Sequence, residues 1–297
     1  MDDVETRELR YFLAVAEELH FGRAALRLGM AQPPLSRAIR QLEGRIGVQL
    51  FDRDRRGVRL TAAGAALLRE APAALDGVRA AVRRARRAGA VEQRLVLATK
   101  AGSSHEFLQA LLDAHAADAD GAPVDVVLCE IGEQAGLLLD GTADVAVMHR
   151  PFDDFAGIES VDLYSEAQVA IVPASHALAG RRSLTMAEVT AVPDLPMARW
   201  PLVDGTYPDG PGPEVHSQSQ LAQLVALGRT LLVIPRSSRA WQWPEHVAVP
   251  VLDAPLATTV LGWPAGRRTP AVDRLVATGL RIGDVTAASA AGAGAIA

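Results

Sequence analysis

The chain has 297 residues, enough for about two domains of ordinary size, and 49% of them are hydrophobic, which excludes an intrinsically disordered protein. Its charge is unevenly distributed: residues 1–89 carry 17 arginines and 11 acids, a net of +6, whereas the remaining residues carry a net of −11. A basic first third on an acidic body is typical of a polyanion-binding head joined to a different module.

The sequence also restricts the compartment in which we expect the protein. Cys129 is the single cysteine, so an intrachain disulfide is impossible, and its place in an apolar run predicts a core thiol rather than a redox sensor. The acidic N-terminus lacks the apolar core of a signal peptide. No apolar run reaches the roughly 18 residues of a membrane span. We therefore expect a cytoplasmic protein that does not bind a membrane.

The first predicted elements are two helices. Apolar residues recur at helical spacing over residues 7–19, and Thr6 precedes them as the predicted N-cap. A second, shorter helix carries small and apolar groups on one side, namely Ala24, Ala25 and Leu28. Gly29 ends this helix, because glycine adopts the left-handed backbone conformation without a steric penalty.

A third helix follows a three-residue turn that ends at Ala31. Pro33 and Pro34 fit its first turn, where a missing N–H costs little. Its inner face is apolar and consists of Leu35, Ala38, Ile39, Leu42 and Ile46. Its outer ridge consists of Gln32, Pro33, Ser36, Arg37 and Arg40. Arginine pairs with guanine and glutamine with adenine, so this ridge predicts a helix that enters the major groove of DNA.

Residues 50–60 predict a short hairpin, because two strand-like runs flank a turn that contains Gly57. Its arginines are Arg53, Arg55, Arg56 and Arg59. We interpret the hairpin as a wing whose arginines hold the phosphate backbone.

Residues 7–67 resemble the N-terminal winged helix-turn-helix of LysR-type transcriptional regulators. The residues that carry the resemblance are Leu9, Arg10, Tyr11, Phe12, Ala14, Val15, Ala16, Glu17, Phe21, Ala24, Ala25, Leu28, Gln32, Pro33, Leu35, Ser36, Arg37, Ile39, Leu42, Glu43, Gly47, Leu50, Phe51, Arg53, Arg59, Leu60, Thr61 and Gly64. Gly22 and Ala31 depart from the family, because each stands where a hydroxyl-bearing cap is usual. The alternative, a solvated surface that happens to hold arginines, does not account for so many matches at the correct spacing.

A long helix is predicted next, with Thr61 as its N-cap. Its apolar residues follow the alternating spacing of a coiled-coil seam and are Leu68, Ala71, Leu75, Val78, Val82 and Ala85. The flanking positions are strongly charged, which favours a seam over a face packed on its own domain. The resemblance implies the linker helix that pairs two protomers. Pro72 predicts a bend or a break in this helix.

From residue 93 onward, strands alternate with helices, which predicts a parallel α/β sheet with both faces covered. The predicted strands are 94–99, 124–131 and 143–148, with helices at 106–116 and 133–139. The predicted crossing is 161–163 and 168–172, the second lobe holds 186–189, 221–227, 231–234 and 247–251, and the return is 258–262 with a closing helix at 270–279.

This half is similar to the family's two-lobed effector domain of the periplasmic-binding-protein type. The matching residues are Gly141, Asp144, Val145, Ala146, Val172, Pro173, Ala174, His176, Ala177, Leu178, Ala179, Leu224, Val225, Ala226, Gly228, Leu232, Ile234 and Pro235. The expected fold is therefore α+β and multi-domain. The expected boundaries are 1–61 for the DNA-binding domain, 62–89 for the linker helix, 90–163 and 263–283 for lobe I, 164–262 for lobe II, and 284–297 for a disordered Ala/Gly tail.

A ligand site is predicted in the loop after the first strand of this domain. Exposed N–H groups, two hydroxyls and a helix N-terminus favour an anion there, and Lys100, the only lysine of the chain, adds a positive charge. The resemblance places this loop in the cleft between the lobes, opposite a second-lobe helix. Our hypothesis is a small carboxylate effector bound among Thr99, Lys100, Ser103, Ser104, His149 and Gln218. The alternative is that a serine caps a helix and Lys100 is solvated.

Residues 193–217 depart from the family, which usually has a strand, a loop and a helix there. Their proline and glycine content excludes a regular helix, so the second lobe is predicted to lack part of one cleft wall. Trp200, Trp241 and Trp243 are candidates for this wall, although burial in the core of the lobe is the favoured interpretation of each.

No enzyme or metal motif is present: the histidines lack paired metal spacing, and the nucleophile-elbow and phosphate-loop patterns are absent. The resemblance to LysR-type regulators implies a transcriptional regulator without a cofactor, which binds a near-palindromic operator as a dimer or tetramer and contacts RNA polymerase. Two alternatives stay open, an effector-independent regulator with a vestigial second lobe and a small-molecule binding protein.

Overall fold

The computed structural model describes residues 4–54, 57–89, 94–202, 206–238 and 243–293. The chain divides into two compact units, Met1–Arg84 and Ala85–Ala297, each with cores of its own. Among the described residues, no helix is long and apolar enough to cross a lipid bilayer.

The first unit consists of three helices, a hairpin and a long helix. Their bounds are α1 Thr6–Glu18, α2 Phe21–Arg27, α3 Gln32–Ile46, β1 Phe51–Asp54, β2 Gly57–Leu60 and α4 Ala62–Ala88. Leu35, Ile39 and Leu42 of α3 are fully buried, as predicted, whereas Ala38 and Ile46 are only half-buried. The large residues of the inner face therefore supply the contact between α3 and the rest of the unit.

Two helix caps differ from the prediction. The residue that precedes α1 is Glu5, not Thr6, and its backbone N–H donates to the carboxylate of Glu8 at 3.1 Å. The N-cap of α2 is His20, whose Nδ1 accepts the backbone N–H of Gly22 at 3.0 Å. A Cβ atom at position 22 would lie 2.9 Å from this ring. Gly22 therefore makes room for the capping histidine and does not cap the helix itself.

The turn between α2 and α3 has the predicted geometry. Gly29 adopts φ +65°, and the N–H of Met30 donates to the carbonyl of Ala25 at 2.9 Å. Ala31 is the N-cap of α3 and makes no capping bond through its side chain, while prolines occupy the first turn. The start of α3 therefore depends on backbone conformation and not on a side-chain cap.

The long helix α4 is continuous through Pro72, so the predicted break does not occur. Its predicted cap is confirmed, because the Oγ1 atom of Thr61 accepts the N–H of Gly64 at 3.0 Å and donates to the carbonyl of Gln49 at 2.7 Å. A Cβ atom at position 64 would lie 2.1 Å from the carbonyl oxygen of Leu50. The helix therefore approaches the backbone before the hairpin so closely that only glycine fits there.

The predicted coiled-coil seam of α4 is divided between two environments. Ala71 and Leu75 are buried within the chain, with 1% and 4% of their surface exposed. Val78 and Val82 are 42% and 46% exposed. Only the later part of the seam therefore presents apolar surface to the outside.

The described residues of the second unit form two sheets. The elements of its first lobe are β3 Leu95–Lys100, α5 His105–Ala116, β4 Val124–Cys129, α6 Gln134–Leu139, β5 Val145–Arg150, β6 Ile158–Glu166, β10 Ala257–Pro264 and α9 Pro270–Ala293. The elements of its second lobe are β7 Gln168–Pro173, a 3-10 turn Ala177–Gly180, α7 Met186–Thr190, α8 Gln218–Ala226, β8 Leu232–Pro235 and β9 His246–Pro250.

The first-lobe sheet is mixed rather than parallel as predicted. Its strand order is β4-β3-β5-β10-β6, with β3 parallel to both neighbours and β10 antiparallel to β5 and β6. The helices α5 and α9 pack on one face and α6 on the other. Because β10 pairs in this sheet, the chain re-enters lobe I at residue 257 and not at the predicted residue 263.

The strand β4 differs from the prediction in its exposure. It was expected to be covered on both faces, but it lies at the edge of the sheet, where Val126 and Leu128 are 38% and 63% exposed. An edge strand has one neighbour only, so apolar composition alone does not imply burial.

The second-lobe sheet has β7 at its centre, antiparallel to β8 and β9. Both of its faces are covered: Val169 and Ile171 pack beneath α8, while Ala170 and Val172 pack on the opposite side against the segment that includes α7. The two lobes are joined by the adjacent strands β6 and β7 and by the return into β10.

The segment rich in proline and glycine forms no regular helix in its described parts, 193–202 and 206–217, as predicted. Arg199 holds it together by donating to the carbonyls of Gly212 at 2.7 Å and Pro208 at 3.1 Å and to the carboxylate of Glu214 at 3.2 Å. A Cβ atom at position 212 would collide with the carbonyl oxygen of Met197. The segment is therefore packed against its own backbone.

The C-terminal segment differs from the predicted disordered tail. The helix α9 continues to Ala293, so the disorder predicted from residue 284 is wrong for 284–293. Residues 294–297 lie outside the described residues.

Substitution of Gly64 tests the contact between α4 and the hairpin. We expect Gly64→Ala to lower the free energy of unfolding by about 1–3 kcal/mol, because the new methyl group falls on the carbonyl of Leu50. The control is Gly44→Ala in α3, where an added Cβ atom meets open space. This substitution should raise the free energy of unfolding by about 0.5–1 kcal/mol, because alanine is favoured over glycine inside a helix. Chemical denaturation measures both, and equal stability of Gly64→Ala and wild type would contradict the contact.

Candidate DNA-reading surface and interlobe pocket

The ridge predicted to read DNA lies on the outer face of α3. Gln32, Pro33, Arg37 and Arg40 are exposed, and Ser36 is half-buried. The Nε atom of Arg40 donates to the carbonyl of Ser36 at 3.3 Å, which directs this guanidinium along the helix. The structure therefore places all five predicted residues on one accessible ridge.

A buried carboxylate fixes the hairpin against α3. Glu43 is 9% exposed, and its Oε1 atom accepts the backbone N–H groups of Leu50 at 2.9 Å and Phe51 at 3.2 Å. Its Oε2 atom accepts the guanidinium of Arg53 at 3.3 Å. That guanidinium also lies 4.4 Å from the centre of the Phe21 ring. Glu43 therefore links the recognition helix, the hairpin and α2.

The predictions for the four wing arginines have different outcomes. Arg53 was predicted to hold phosphate, but its pairing with Glu43 gives it a structural role in the free protein. Arg59 is exposed on β2, as its predicted role requires. Arg55 and Arg56 lie outside the described residues, so their predicted phosphate contacts stay predictions.

A pocket of about 140 Å³ lies between the two lobes. It is lined by Lys100, Ala101, Ser103, Ile131, His149 and Phe152 of lobe I, and by Trp200, Gln218, Leu232, Val233, Ile234, Pro235 and Ser238 of lobe II. Four of the six predicted effector residues therefore line one cavity.

The charge of Lys100 is paired inside the protein. Its Nζ atom lies 3.0 and 2.9 Å from the two carboxylate oxygens of Asp153, and the two side chains are only 9% and 1% exposed. The same carboxylate accepts the backbone N–H of His149 at 2.7 Å. Asp153 is therefore a buried counter-ion with three hydrogen bonds, and sequence reasoning missed it.

His149 is held by two serines at the edge of the pocket. Its Nε2 atom lies 2.9 Å from the hydroxyl of Ser104 and 3.3 Å from that of Ser103. Burial, reinforced by the nearby charge of Lys100, lowers the pKa of His149 well below its ordinary value, so the ring is neutral at physiological pH. Its Nδ1 atom is 3.9 Å from Asp153, too far for a hydrogen bond, so the group lacks the oriented base of a hydrolytic triad.

Two further hydrogen-bonded contacts join the lobes. The backbone N–H of Gln218, at the start of α8, donates to the carboxylate of Glu130 at 3.2 Å. Ser237 donates its backbone N–H at 2.7 Å and its hydroxyl at 2.6 Å to the carboxylate of Glu166. Burial raises the pKa of Glu166 above its ordinary value. Carboxylates of lobe I therefore accept hydrogen bonds from lobe II at two places, Glu130 and Glu166.

The remaining predicted residues have other positions. Thr99 and Ser104 are each 1% exposed and lie behind the pocket wall, and Ser104, although it is the N-cap of α5, bonds His149 and makes no capping bond. Trp200 lines the pocket and supplies the wall predicted to be missing. Trp243 is 41% exposed and stacks on His246, so its expected burial is wrong, and Trp241 lies outside the described residues.

The sequence held a signal for both missed carboxylates. Lys100 ends β3, Glu130 follows β4 and Asp153 follows β5, and these three strands are parallel neighbours. The carboxyl ends of parallel strands meet at one edge of a sheet, where a buried lysine needs a counter-ion. A search for acids just after β4 and β5 could therefore have found a partner for Lys100.

Cys129 is adjacent to this edge and is buried. It is 7% exposed, and its thiol donates to the carbonyl of Thr99 at 3.4 Å. Burial, together with the nearby carboxylates of Glu133 and Asp153, raises its pKa to about 11. The position is that of an unreactive core thiol.

Two family models match the chain. Residues 6–65 match the model described as bacterial regulatory helix-turn-helix protein, lysR family, and residues 88–281 match the LysR substrate binding domain. The chain belongs to the LysR family of transcriptional regulators. As a LysR-type regulator it is a DNA-binding protein with a substrate-binding effector domain, and the resemblance seen in the sequence is confirmed.

The regulator is similar to named transcriptional regulators over most of its length. It is 34% identical over 289 residues to the uncharacterized HTH-type transcriptional regulator YnfL of Escherichia coli, covering 88% of this chain and 93% of that protein. It is 36% identical over 202 residues to the HTH-type transcriptional regulator AlsR of Bacillus subtilis, covering 67% and 66%.

Among solved structures, the LysR family transcriptional regulator CbnR is similar with a TM-score of 0.59 and 26% identity, covering 94% of this chain and 99% of that chain. Full-length CbnR complexed with target DNA is similar with a TM-score of 0.50 and 27% identity, covering 94% and 100%. The expected α+β multi-domain fold is therefore confirmed.

Thiol labelling tests the environment of Cys129. With a pKa of about 11, only about a thousandth of the thiol is ionised near pH 8, so native protein should react very slowly with Ellman's reagent. Denatured protein should release one equivalent. A variant with Cys129→Ser and Leu128→Cys, which moves the thiol to an exposed position, is the control and should react fast. Fast labelling of native wild type would contradict the burial.

Proposed function

We propose that α3 reads one half-site of a near-palindromic operator, with Gln32, Pro33, Ser36, Arg37 and Arg40 in the major groove. The observation that carries this proposal is the accessible ridge on a helix whose angle to the hairpin is fixed by Glu43. A reading helix needs such rigidity, because base contacts require placement to within a fraction of an ångström.

Phosphate contacts are proposed for the wing. Arg59 on β2 and the predicted wing residues Arg55 and Arg56 belong to the basic first third of the chain, which favours binding to a polyanion. Arg53 joins them only if DNA draws its guanidinium away from Glu43.

Pairing of two protomers is proposed through α4. Its exposed residues Val78 and Val82 have the spacing of a coiled-coil seam and are bordered by arginines, so a second helix would cover them and leave the charges in water. A dimer presents two recognition helices, about one helical turn of DNA or a multiple of it apart. Association of dimers into a tetramer and contact with RNA polymerase complete the proposal.

Regulation is proposed to act through the interlobe pocket. A ligand that contacts residues of both lobes changes the relative free energy of their arrangements, and it shifts the population toward the arrangement it prefers. The wall supplied by Trp200 favours this reading over a vestigial second lobe. If no member of a broad panel of metabolites changes the operator affinity or the melting temperature, the effector-independent alternative is favoured instead.

Single substitutions on α3 and on the hairpin should affect DNA binding in different ways. Arg37→Ala should relax base preference at one position of the half-site by about 1–3 kcal/mol, because one bidentate contact is lost. Arg59→Ala should weaken binding to all sequences and reduce the log–log salt slope by about 0.9, because one phosphate contact is lost.

Fluorescence anisotropy on operator variants, with the operator located by footprinting the upstream region of the gene, measures both effects. Arg181→Ala is the matched control, because this exposed arginine pairs with Glu188 in the second lobe. An unchanged base preference in Arg37→Ala, or a loss confined to one base pair in Arg59→Ala, contradicts the assignment.

Substitutions in α4 test whether this helix pairs two protomers. Val78→Glu with Val82→Glu should shift the protein from dimer toward monomer, because four buried carboxylates would face one another across the seam. Ala73→Glu is the control, since position 73 is exposed and lies opposite the seam. Sedimentation velocity over a range of concentrations measures the shift. A double variant that dimerises as tightly as wild type would show that α4 does not form the interface.

A further inference from the structure

The sequence predicted an anion at the loop that holds Lys100 and precedes α5. In the structure a second helix N-terminus, that of α8, also borders the cleft, because Gln218 lines the pocket. A positive charge and a helix N-terminus each favour a bound carboxylate. The structure shows that Lys100 and the N-terminus of α8 are each already bonded to a carboxylate of the protein itself.

The partner of Lys100 is Asp153. The carboxylate meets Lys100 through both oxygens, at 3.0 and 2.9 Å, and both side chains are almost fully buried. A ligand carboxylate that reached Lys100 would compete with an acid that is 1% exposed and cannot move into water without opening the pocket. Removal of one partner of a buried ion pair leaves an uncompensated charge, which is strongly unfavourable.

The partner of the α8 N-terminus is Glu130. Its carboxylate accepts the N–H of Gln218, the first residue of α8, at 3.2 Å. A ligand anion at this helix end would therefore meet the carboxylate of Glu130. Repulsion of like charge opposes its binding.

Apart from Lys100, the side chains that line the pocket are uncharged. The lining is dominated by apolar groups, with Ile131 and Phe152 from lobe I facing Trp200 and Leu232 from lobe II. A cavity of about 140 Å³ is comparable to the ~150 Å³ cavities that hold one benzene ring. Hydrogen-bonding groups in the lining come from Ser103, His149, Gln218 and Ser238.

We infer that the effector of this regulator is an uncharged molecule of about one substituted ring, bound by apolar contacts and by hydrogen bonds to groups such as Ser103 and Gln218. This inference rests on the proposed role of the interlobe pocket. It replaces the small carboxylate expected from the sequence, because that expectation treated Lys100 as an unpaired cation.

The test compares two probes of nearly equal shape, benzamide and benzoate, by isothermal titration calorimetry at neutral pH. Wild-type protein should bind benzamide at least about tenfold more tightly than benzoate, because the charge of benzoate would enter a pocket whose lysine is already paired with Asp153 and whose other lining residues are uncharged. A preference for benzoate would overturn the inference. Failure of wild type to bind benzamide at millimolar concentration would overturn it as well.

Variants locate the origin of the preference. Asp153→Asn leaves Lys100 unpaired and should improve benzoate relative to benzamide by about tenfold or more. Asp154→Asn is the matched control, because the neighbouring carboxylate accepts the N–H of Ala156 and not Lys100, and it should keep the wild-type ratio. An unchanged ratio in Asp153→Asn would show that the internal ion pair does not set the ligand class.

A double variant protects the test against misfolding. Lys100→Met with Asp153→Asn removes both charges without leaving either alone, so it should still prefer benzamide. Uptake of benzoate by this variant would overturn the inference. Operator affinity is measured separately by anisotropy: loss of all DNA binding would refute the proposed function but leave the benzamide-to-benzoate ratio readable, and a benzoate preference with normal DNA binding would refute the ligand class alone.

Discussion

The hydrogen bonds of the buried Glu43 carboxylate are the interaction on which the arrangement of α3 and the hairpin depends. Taking a carboxylate out of water is costly, and here three donors offset that cost: two backbone N–H groups at the entry of the hairpin and the guanidinium of Arg53. The same residue lies on α3, so the helix and the hairpin move as one body. The close contact at Gly64 extends this body into α4. The angle between α3 and α4 is thereby set within a single chain.

The two units use charge in opposite ways. In the first, the arginines of the α3 ridge point outward, where a polyanion can reach them. In the second, the positive groups at the cleft are paired internally by Asp153 and Glu130. These charges are therefore paired within the protein, and the effector proposed for the cleft would be selected by shape, apolar contact and hydrogen bonding. These contacts also connect the lobes, since Glu130 and Glu166 of lobe I each bond a residue of lobe II.

Several local features could be predicted from the sequence because their causes are local. The turn at Gly29, the cap at Thr61 and the inner face of α3 follow from backbone preference and helical spacing. Features decided by distant segments were predicted poorly. The apolar strand β4 lies at a sheet edge, and β10 runs antiparallel, because strand order depends on which segments return to the sheet. Periodicity along one strand does not contain that information.

The sequence by itself determined the family, the helix α3 with its exposed ridge, and four of the residues that line the interlobe pocket, because these depend on motif spacing and on the order of elements along the chain. Only the tertiary structure decided which charges are neutralised. Arg53 and Lys100 are both cations in the sequence, yet each meets a carboxylate, 10 residues away in one case and 53 in the other. An ion pair in a buried site is formed by the three-dimensional packing that excludes water around it, and this packing has no counterpart in local sequence.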